Sequence, residues 1–291
     1  MGEAGRDLFQ RPGGASGAGV VAVREHRFFV PAGGLCGSAV RFDPQDLRHM
    51  RVLRLRPGDR VVAVVPGLGQ APAVLEALGP EGARGRLAGG FCPLPEPPVE
   101  LWLFQAVARG TRMELVVEKG TELGVAGFAP FLSRRCPPGL GRGEEKRGRW
   151  ARVAREAARQ CGRGAPPELV GPLDFASALA RAALLDLGLL LHPDPAAPRL
   201  CAAVSAWLQS AAPSARRAAA PAPEPRPQPA ATARLRVAVL VGPEGGFEAA
   251  EVEAARSAGL TLAWLGPRTL RTETAGVVAA ALLLHALGDL G

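Results

Sequence analysis

The chain has 291 residues, enough for one large domain or two of ordinary size, and 47% of them are hydrophobic, which supports a well-formed core. Its 35 Lys and Arg against 27 Asp and Glu leave a net charge of +8, which favours a polyanionic partner such as RNA. Five cysteines (Cys36, Cys92, Cys136, Cys161, Cys201) form no C-x-x-C pair, and four histidines are scattered. That pattern argues against a disulfide scaffold or a zinc centre and for a reducing, cytoplasmic setting.

Residues 1–23 are rich in Gly and Ala, carry charges and lack the long apolar core of a signal peptide, so they read as a frayed extension. Residues 24–92 show a β pattern: His26–Val30, Arg60–Val65, Ala73–Leu78 and Ala83–Leu87 are separated by Gly and Pro turns, which predicts a small barrel. Between its first strands, residues 43–54 are expected to be helical. Leu47, Met50, Val52 and Leu53 would share one face, and Arg48, His49, Arg51 and Arg54 would meet solvent or phosphate. Residues 93–98, rich in proline, read as a linker.

The second domain, 99–291, alternates strand and helix patterns, which predicts an α/β fold with a parallel sheet flanked by helices. Val99–Phe104 is its first strand, followed by a helix over 113–123, a strand over Phe128–Leu132 and a helix over Trp150–Gln160. Leu184–Leu191 is a further apolar run, ended by His192-Pro193, and Arg199–Ala211 is expected to be helical. The alternating prolines of 213–232 suit neither a helix nor a central strand, so this tract reads as a disordered insertion. The apolar run Gly276–Leu287 is too short to span a bilayer and reads as a buried helix.

Two loops organise this domain. Val237–Val241 is a short buried strand, and Gly242-Pro243-Glu244-Gly245-Gly246-Phe247 follows it into a helix over 248–256. The three glycines are expected to take positive φ and let the backbone approach a ligand. Strand 260–265 repeats the pattern, and its loop, Gly266-Pro267-Arg268-Thr269-Leu270-Arg271-Thr272-Glu273, runs into a helix over 274–287. Consecutive strand–loop–helix units of this kind place a ligand site at the carboxyl ends of a parallel sheet. Phe247 and Glu248 stand where a phosphate-binding loop needs Lys and a hydroxyl, and G-x-G-x-x-G is absent, so a polyphosphate is not the expected ligand.

GPEGGF followed by LGPRTLRTETA closely resembles the carboxyl-terminal signature of the RsmE family, methyltransferases of the SPOUT superfamily that act on N3 of a uridine in small-subunit ribosomal RNA. The R-x-F-x-V-like first strand and H-x-x-R-V-L-R-x-x-x-G-D resemble the family's amino-terminal PUA-like domain, and Arg109-Gly110, Glu118-Lys119, Glu122-Leu123-Gly124, Ser133-x-Arg135 and Gln160-Cys161-Gly162-Arg163 match further family positions. Arg112 stands where the family commonly has Lys, and the tract 213–232 departs from its pattern.

The resemblance implies a trefoil knot that binds S-adenosylmethionine, a homodimer, and ribosomal RNA as partner, in an assembled or near-assembled small subunit. It places the cofactor among Leu191, His192, Pro193, Val241, Gly242, Pro243, Glu244, Gly245, Gly246, Leu265, Gly266, Leu270, Arg271, Thr272, Thr274 and Ala275. RNA contacts would come from Arg27, His49, Arg51, Arg54, Arg109, Lys119, Arg135 and Arg163, with Gln160–Arg163 on the RNA-facing side of the cofactor pocket. Any one of these Arg residues could equally be a solvated face, and Leu270 and Thr274 could equally be packing residues.

For the chemistry, Arg271 is the candidate stabiliser of a developing uridine anion, and Glu244 or Glu273 the candidate for orientation or proton acceptance. Glu273 reads equally as an acid that satisfies a helix N-terminus. Cys161 reads as a small packed residue, because a ring nitrogen attacks with its own lone pair and needs no covalent adduct. Two other readings stand beside this one: another SPOUT enzyme acting on tRNA or a ribose oxygen, and a non-enzymatic ribosome-assembly factor.

Overall fold

The computed structural model of the chain describes residues 26–94, 96–137, 144–210 and 234–290. The extension at 1–23 and the tract at 213–232 therefore lie outside the described residues, as does Pro95 in the linker.

The front part is a six-stranded sheet built from β1 (Arg27–Phe29), β2 (Leu35–Cys36), β3 (Ala39–Arg41), β4 (Arg60–Val65), β5 (Gly69–Gly79) and β6 (Gly82–Leu87), in the order β1-β4-β5-β6-β3-β2. Only β1 and β4 run parallel. The pairings leave β1 and β2 as edges, so what is described is an open sheet. Its core holds Phe28, Phe42, Met50 and Leu75, each essentially inaccessible. Burying side chains of that size contributes roughly 1.5–3 kcal/mol each.

The expected helix over 43–54 is a 3-10 turn, Pro44–Asp46, running into α1 (Leu47–Val52). Met50 points into the core as the periodicity requires, but Val52 is 72% exposed. The helix ends at Val52, and Arg54 takes a positive φ of 57°, so the apolar stripe is broken before its last turn.

The second part is organised on a parallel sheet, β10-β8-β7-β13-β12-β14. Its members are β7 (Val99–Gln105), β8 (Gly127–Phe128), β10 (Glu168–Leu169), β12 (Leu187–Leu191), β13 (Leu235–Val241) and β14 (Thr261–Ala263). Val237 to Val241 are all buried because helices cover both faces, which is why this stretch reads as an unbroken apolar run.

One face carries α2 (Arg112–Leu123), α3 (Glu144–Cys161), α5 (Leu200–Ser210) and α7 (Thr272–Ala286), joined through a core that includes Leu101, Leu103, Val117, Val239 and Leu283. The other face is covered by α4 (Phe175–Ala183) and α6 (Ala249–Ser257), through Leu179, Leu240 and Ala255. The small pair β9 (Phe131–Leu132) and β11 (Leu173–Asp174) runs beside them.

The single strand expected over 128–132 is two pieces, β8 and β9, in different sheets. Pro130 sits between them and has no N–H for a ladder bond, so the chain changes sheet there.

The two parts are latched through Asp46, 1% exposed at its side chain. Its carboxylate accepts two hydrogen bonds from Arg155 (2.9 and 3.0 Å), one from Arg159 (2.9 Å) and one from the Phe29 N–H (3.1 Å). Burial works against the charge on Arg155, but Asp46 and Asp43 outweigh it and its pKa rises. The Arg155 guanidinium also lies over the Phe29 ring, 5.0 Å from its centroid.

Candidate functional site

The strand order reverses between β7 and β13, so the carboxyl ends of these two strands mark the switch point at which such sheets bind ligands. Gln105 and Val241 are register partners there. The Gly242–Phe247 loop leaves β13 at that point, folds into a turn closed by the Gly246 N–H to the Pro243 carbonyl (2.9 Å), and is anchored by Phe247. The Phe247 ring is buried and stacks on Phe131 with centroids 6.3 Å apart.

Of the three loop glycines expected at positive φ, only Gly246 has one (68°). Gly242 is needed for another reason: a Cβ there would meet the Phe247 ring at 3.0 Å. In the second loop Gly266 takes φ 123°, a conformation open to glycine alone.

After β14, at the far edge of the sheet, the chain passes beside the segment that follows β12. The Trp264 N–H donates to the Pro198 carbonyl (2.9 Å), and the Leu200 N–H to the Trp264 carbonyl (3.0 Å). It then returns to the switch point, where α7 begins. Thr272, the first residue of α7, donates its hydroxyl to the Gly242 carbonyl (2.6 Å), joining the two loops. Leu191 at the end of β12 is buried beside Ala263, and the His192 N–H donates to the Ala263 carbonyl (3.0 Å). The structure thus gathers Leu191–Pro193, Val241–Gly246 and Leu265–Ala275 at one edge. Leu265 and Ala275 pack partly against the core, while Pro193 and Thr274 are exposed.

The charged groups at this edge are unevenly engaged. Arg112, on the first turn of α2, pairs with Glu244 and lies 3.7 Å from Glu273, so it spans both loops. Glu273 is 8% exposed in the first turn of α7, and its Oε2 is buried with no hydrogen-bond partner among the described residues. His192 Nδ1 is in the same state. Arg271 caps α7, is exposed, and makes no ion pair or side-chain hydrogen bond with the described residues. Arg135 donates to the Gly245 carbonyl (2.9 Å), Arg134 lies 3.8 Å from Glu248, and Arg109 after β7 and Arg268 in the second loop are exposed. The edge therefore presents a rim of arginines around two acids.

Apart from His49, the expected RNA contacts divide in three. Arg51, Arg54, Arg109 and Arg135 are exposed. Lys119 pairs with Glu118 and Glu122 on its own helix, and those hydrogen bonds raise its pKa. Arg27 and Arg163 are taken up in packing. Arg27 donates to the Gly162 and Arg163 carbonyls, and its pKa is lowered by burial.

Arg163 donates to Val125 O (2.6 Å), Thr121 O (3.4 Å) and Glu96 (3.1 Å). These partners precede β7 and β8, so Gln160–Arg163 sits at the amino edge of the sheet, opposite the loops, and not beside a pocket formed by them. The α3 helix runs toward that edge and delivers its last residues there. Cys161 is in the same place and is exposed, not packed as expected, because the helix ends there at the surface; partial desolvation still pushes its thiol pKa up, which disfavours the thiolate. His49 meets the Phe28 ring edge-on, 6.0 Å between centroids.

Sequence reasoning missed three contributors. Gln105 is wholly buried at the end of β7 and donates to Thr272 Oγ1 (2.8 Å). A polar residue closing an apolar strand was its signal. Glu251 is buried on α6, accepting the Arg134 N–H (3.0 Å) and the Glu248 N–H (2.9 Å), and so ties two loops together. Arg112 stood in the sequence as a family position without a role.

A cleft of about 460 Å³ opens at the amino edge, lined by Leu68, Glu96, Trp102 and Arg163 among others. It is far from the loops, whose unpaired buried atoms and free arginine carry the functional reading better than the volume of the cleft does. Among the described residues no group of three or more His, Cys, Asp or Glu could hold a metal ion, and no helix is long and apolar enough to cross a membrane.

The chain is similar to known proteins. A family model described as an RNA methyltransferase domain matches residues 95–284. The ribosomal RNA small subunit methyltransferase E of Mycobacterium bovis is 31% identical over 78% of this chain and 79% of its own length. That of Bacillus subtilis is 26% identical over 81% of this chain and 85% of its own. A crystal structure of the enzyme of the same name from Neisseria gonorrhoeae, bound to S-adenosyl methionine, superimposes with a TM-score of 0.70 at 26% identity, covering 92% of this chain and all of that one.

Proposed function

The chain belongs to the ribosomal RNA small subunit methyltransferase E family, and from that premise we propose that it methylates N3 of a uridine in small-subunit ribosomal RNA, using S-adenosylmethionine. The observation that carries this reading is the meeting of both loops at the switch point, joined by Thr272 and rimmed by arginines.

The residues present fit the cofactor. His192 Nδ1 is a buried polar atom in want of a partner, and Leu191, Leu265 and Leu270 supply apolar contact for a purine. Gly242–Gly246 and Gly266 supply close backbone approach, and Arg271–Ala275 complete the enclosure. S-adenosylmethionine supplies an electrophilic methyl group carried on a sulfonium.

The protein's task is then the nucleophile. A uridine N3–H ionises well above neutral pH, so the proton must be accepted and the resulting anion stabilised. Glu273, with one oxygen unpaired, accepts the proton. Arg271, with no partner among the described residues, stabilises the anion. Glu244 is engaged by Arg112 and orients that guanidinium between the loops. Positioning the uridine in line with the methyl group supplies the remainder.

The finer architecture belongs to the same reading. The passage of the chain from β14 past Pro198–Leu200 to the switch point supports a trefoil knot, and the six-stranded front sheet supports a PUA-like module that grips RNA with Arg51, Arg54 and their neighbours. A homodimer, an assembled small subunit as substrate and a cytoplasmic location complete it.

The test is incubation of the purified chain with labelled S-adenosylmethionine and small ribosomal subunits that lack the modification. Label in the RNA is the expected result. Cofactor binding without label in any small-subunit RNA would replace the enzyme by an assembly factor.

A further inference from the structure

Gln105 has no place in the chemistry above, yet it is the one fully buried amide at the switch point. An amide in such surroundings costs free energy unless it is bonded, so its partners matter. Its Nε2 donates to Thr272 Oγ1 at 2.8 Å and, more weakly, to the Ala106 carbonyl at 3.4 Å. Thr272 in turn donates to the Gly242 carbonyl at 2.6 Å. A hydroxyl has one proton and otherwise accepts. With the Gln105 N–H on its accepting side, the Thr272 proton is committed to Gly242.

The far side of the amide is held by packing alone, since its oxygen is buried with no hydrogen-bond partner among the described residues. Its Oε1 sits in the notch left by Gly276, one turn beyond Thr272, where an added Cβ would lie 2.4 Å from it. Gly276 has no positive φ to explain it, so the residue is accounted for by this approach.

We propose that Gln105 is a positioning residue that sets the spacing of the two cofactor loops. It fixes the rotor of Thr272, which holds the Gly242 carbonyl to the first turn of α7, the turn that carries Glu273 and follows Arg271. Gly276 is the seat that keeps the amide in that orientation. The inference rests on the reading of these loops as the S-adenosylmethionine site, and it adds a residue on β7 that touches neither cofactor nor RNA.

The test uses Gln105→Met, which removes the N–H at similar volume, and Gly276→Ala, which leaves both hydrogen-bonding residues in place and displaces the amide. S-adenosylmethionine binding is measured by calorimetry without RNA, and the KM for small-subunit RNA separately. Both variants are expected to weaken S-adenosylmethionine by about 5- to 10-fold, the worth of one lost hydrogen bond, with the RNA KM unchanged.

A merely structural role would lower the melting temperature and weaken both constants together, or neither, and either pattern overturns the proposal. If one variant fails to fold, the other decides. Failure of the wild type itself to bind S-adenosylmethionine would instead overturn the reading of the loops, and this inference with it.

Discussion

Replacing Asp46 by Ala isolates the latch between the front sheet and α3. The carboxylate is essentially inaccessible and compensates two guanidinium groups whose own side chains are only 10–11% exposed. Removing it leaves Arg155 with Asp43 alone, leaves Arg159 with the exposed Glu156, and strips the Phe29 N–H of its acceptor. Breaking a buried pair from one side costs about 3–5 kcal/mol, because the orphaned charge stays buried. The partial exposure of the arginines and the remaining Asp43 contact place the expectation at the lower end, near 3 kcal/mol. Urea denaturation followed by tryptophan fluorescence and far-UV dichroism measures it. Asp46→Asn should fall between, since an amide oxygen can still accept the Phe29 N–H. A loss below about 1 kcal/mol for Asp46→Ala, the range of a surface pair, would refute the burial argument.

Arg271→Ala should lower kcat by about 100- to 1000-fold with the fold intact, as loss of an oxyanion-type stabiliser does, and single-turnover methylation reads it. Glu273→Gln should cut turnover by about 100-fold, whereas Glu244→Gln, whose carboxylate faces Arg112, should cost several-fold less; equal effects would reverse the assignment of the proton acceptor. His49 titrates with a defined sign. Burial, then Arg159, lower its pKa below the ordinary 6.5, while Glu156 and Asp46 oppose and His26 assists. The unfolded chain therefore binds the extra proton first, so this contribution is full above pH 6.5 and is lost as pH falls below 6.5 and through the lower folded-state pKa. His49→Gln should flatten the denaturation midpoint between pH 7.5 and 5.5 relative to the wild type.

The parallel sheet was legible because strand segments buried on both faces must be apolar, as Leu101–Phe104 of β7 and Val237–Val241 of β13 are. The loops were legible from their glycines and from their place after apolar runs. What stayed hidden depended on distant partners. Nothing local to Arg27 or Arg163 separates a guanidinium that meets phosphate from one that closes a domain interface, and both turn inward to carbonyls far along the chain. Nothing near Asp46 announces that Arg155 and Arg159 will meet it, with more than 100 residues between them in the chain. Short strands escaped for a different reason. β2, β10 and β11 have two residues each, too few for any period to show. The helix α4 was missed although its signals are local: the Asp174 side chain accepts the Ser177 N–H at its start, and Ala178, Leu179 and Ala182 form its buried face.

The central claim is the nature of the methylated atom. Small subunits from cells lacking the modification, labelled by the purified chain with S-adenosylmethionine, would be stripped of protein and their RNA digested to nucleosides for mass identification. The account predicts the label in 3-methyluridine. Label in a ribose-methylated nucleoside or in a different base would contradict it, keeping the fold and the cofactor loops but removing Glu273 and Arg271 from the roles given to them.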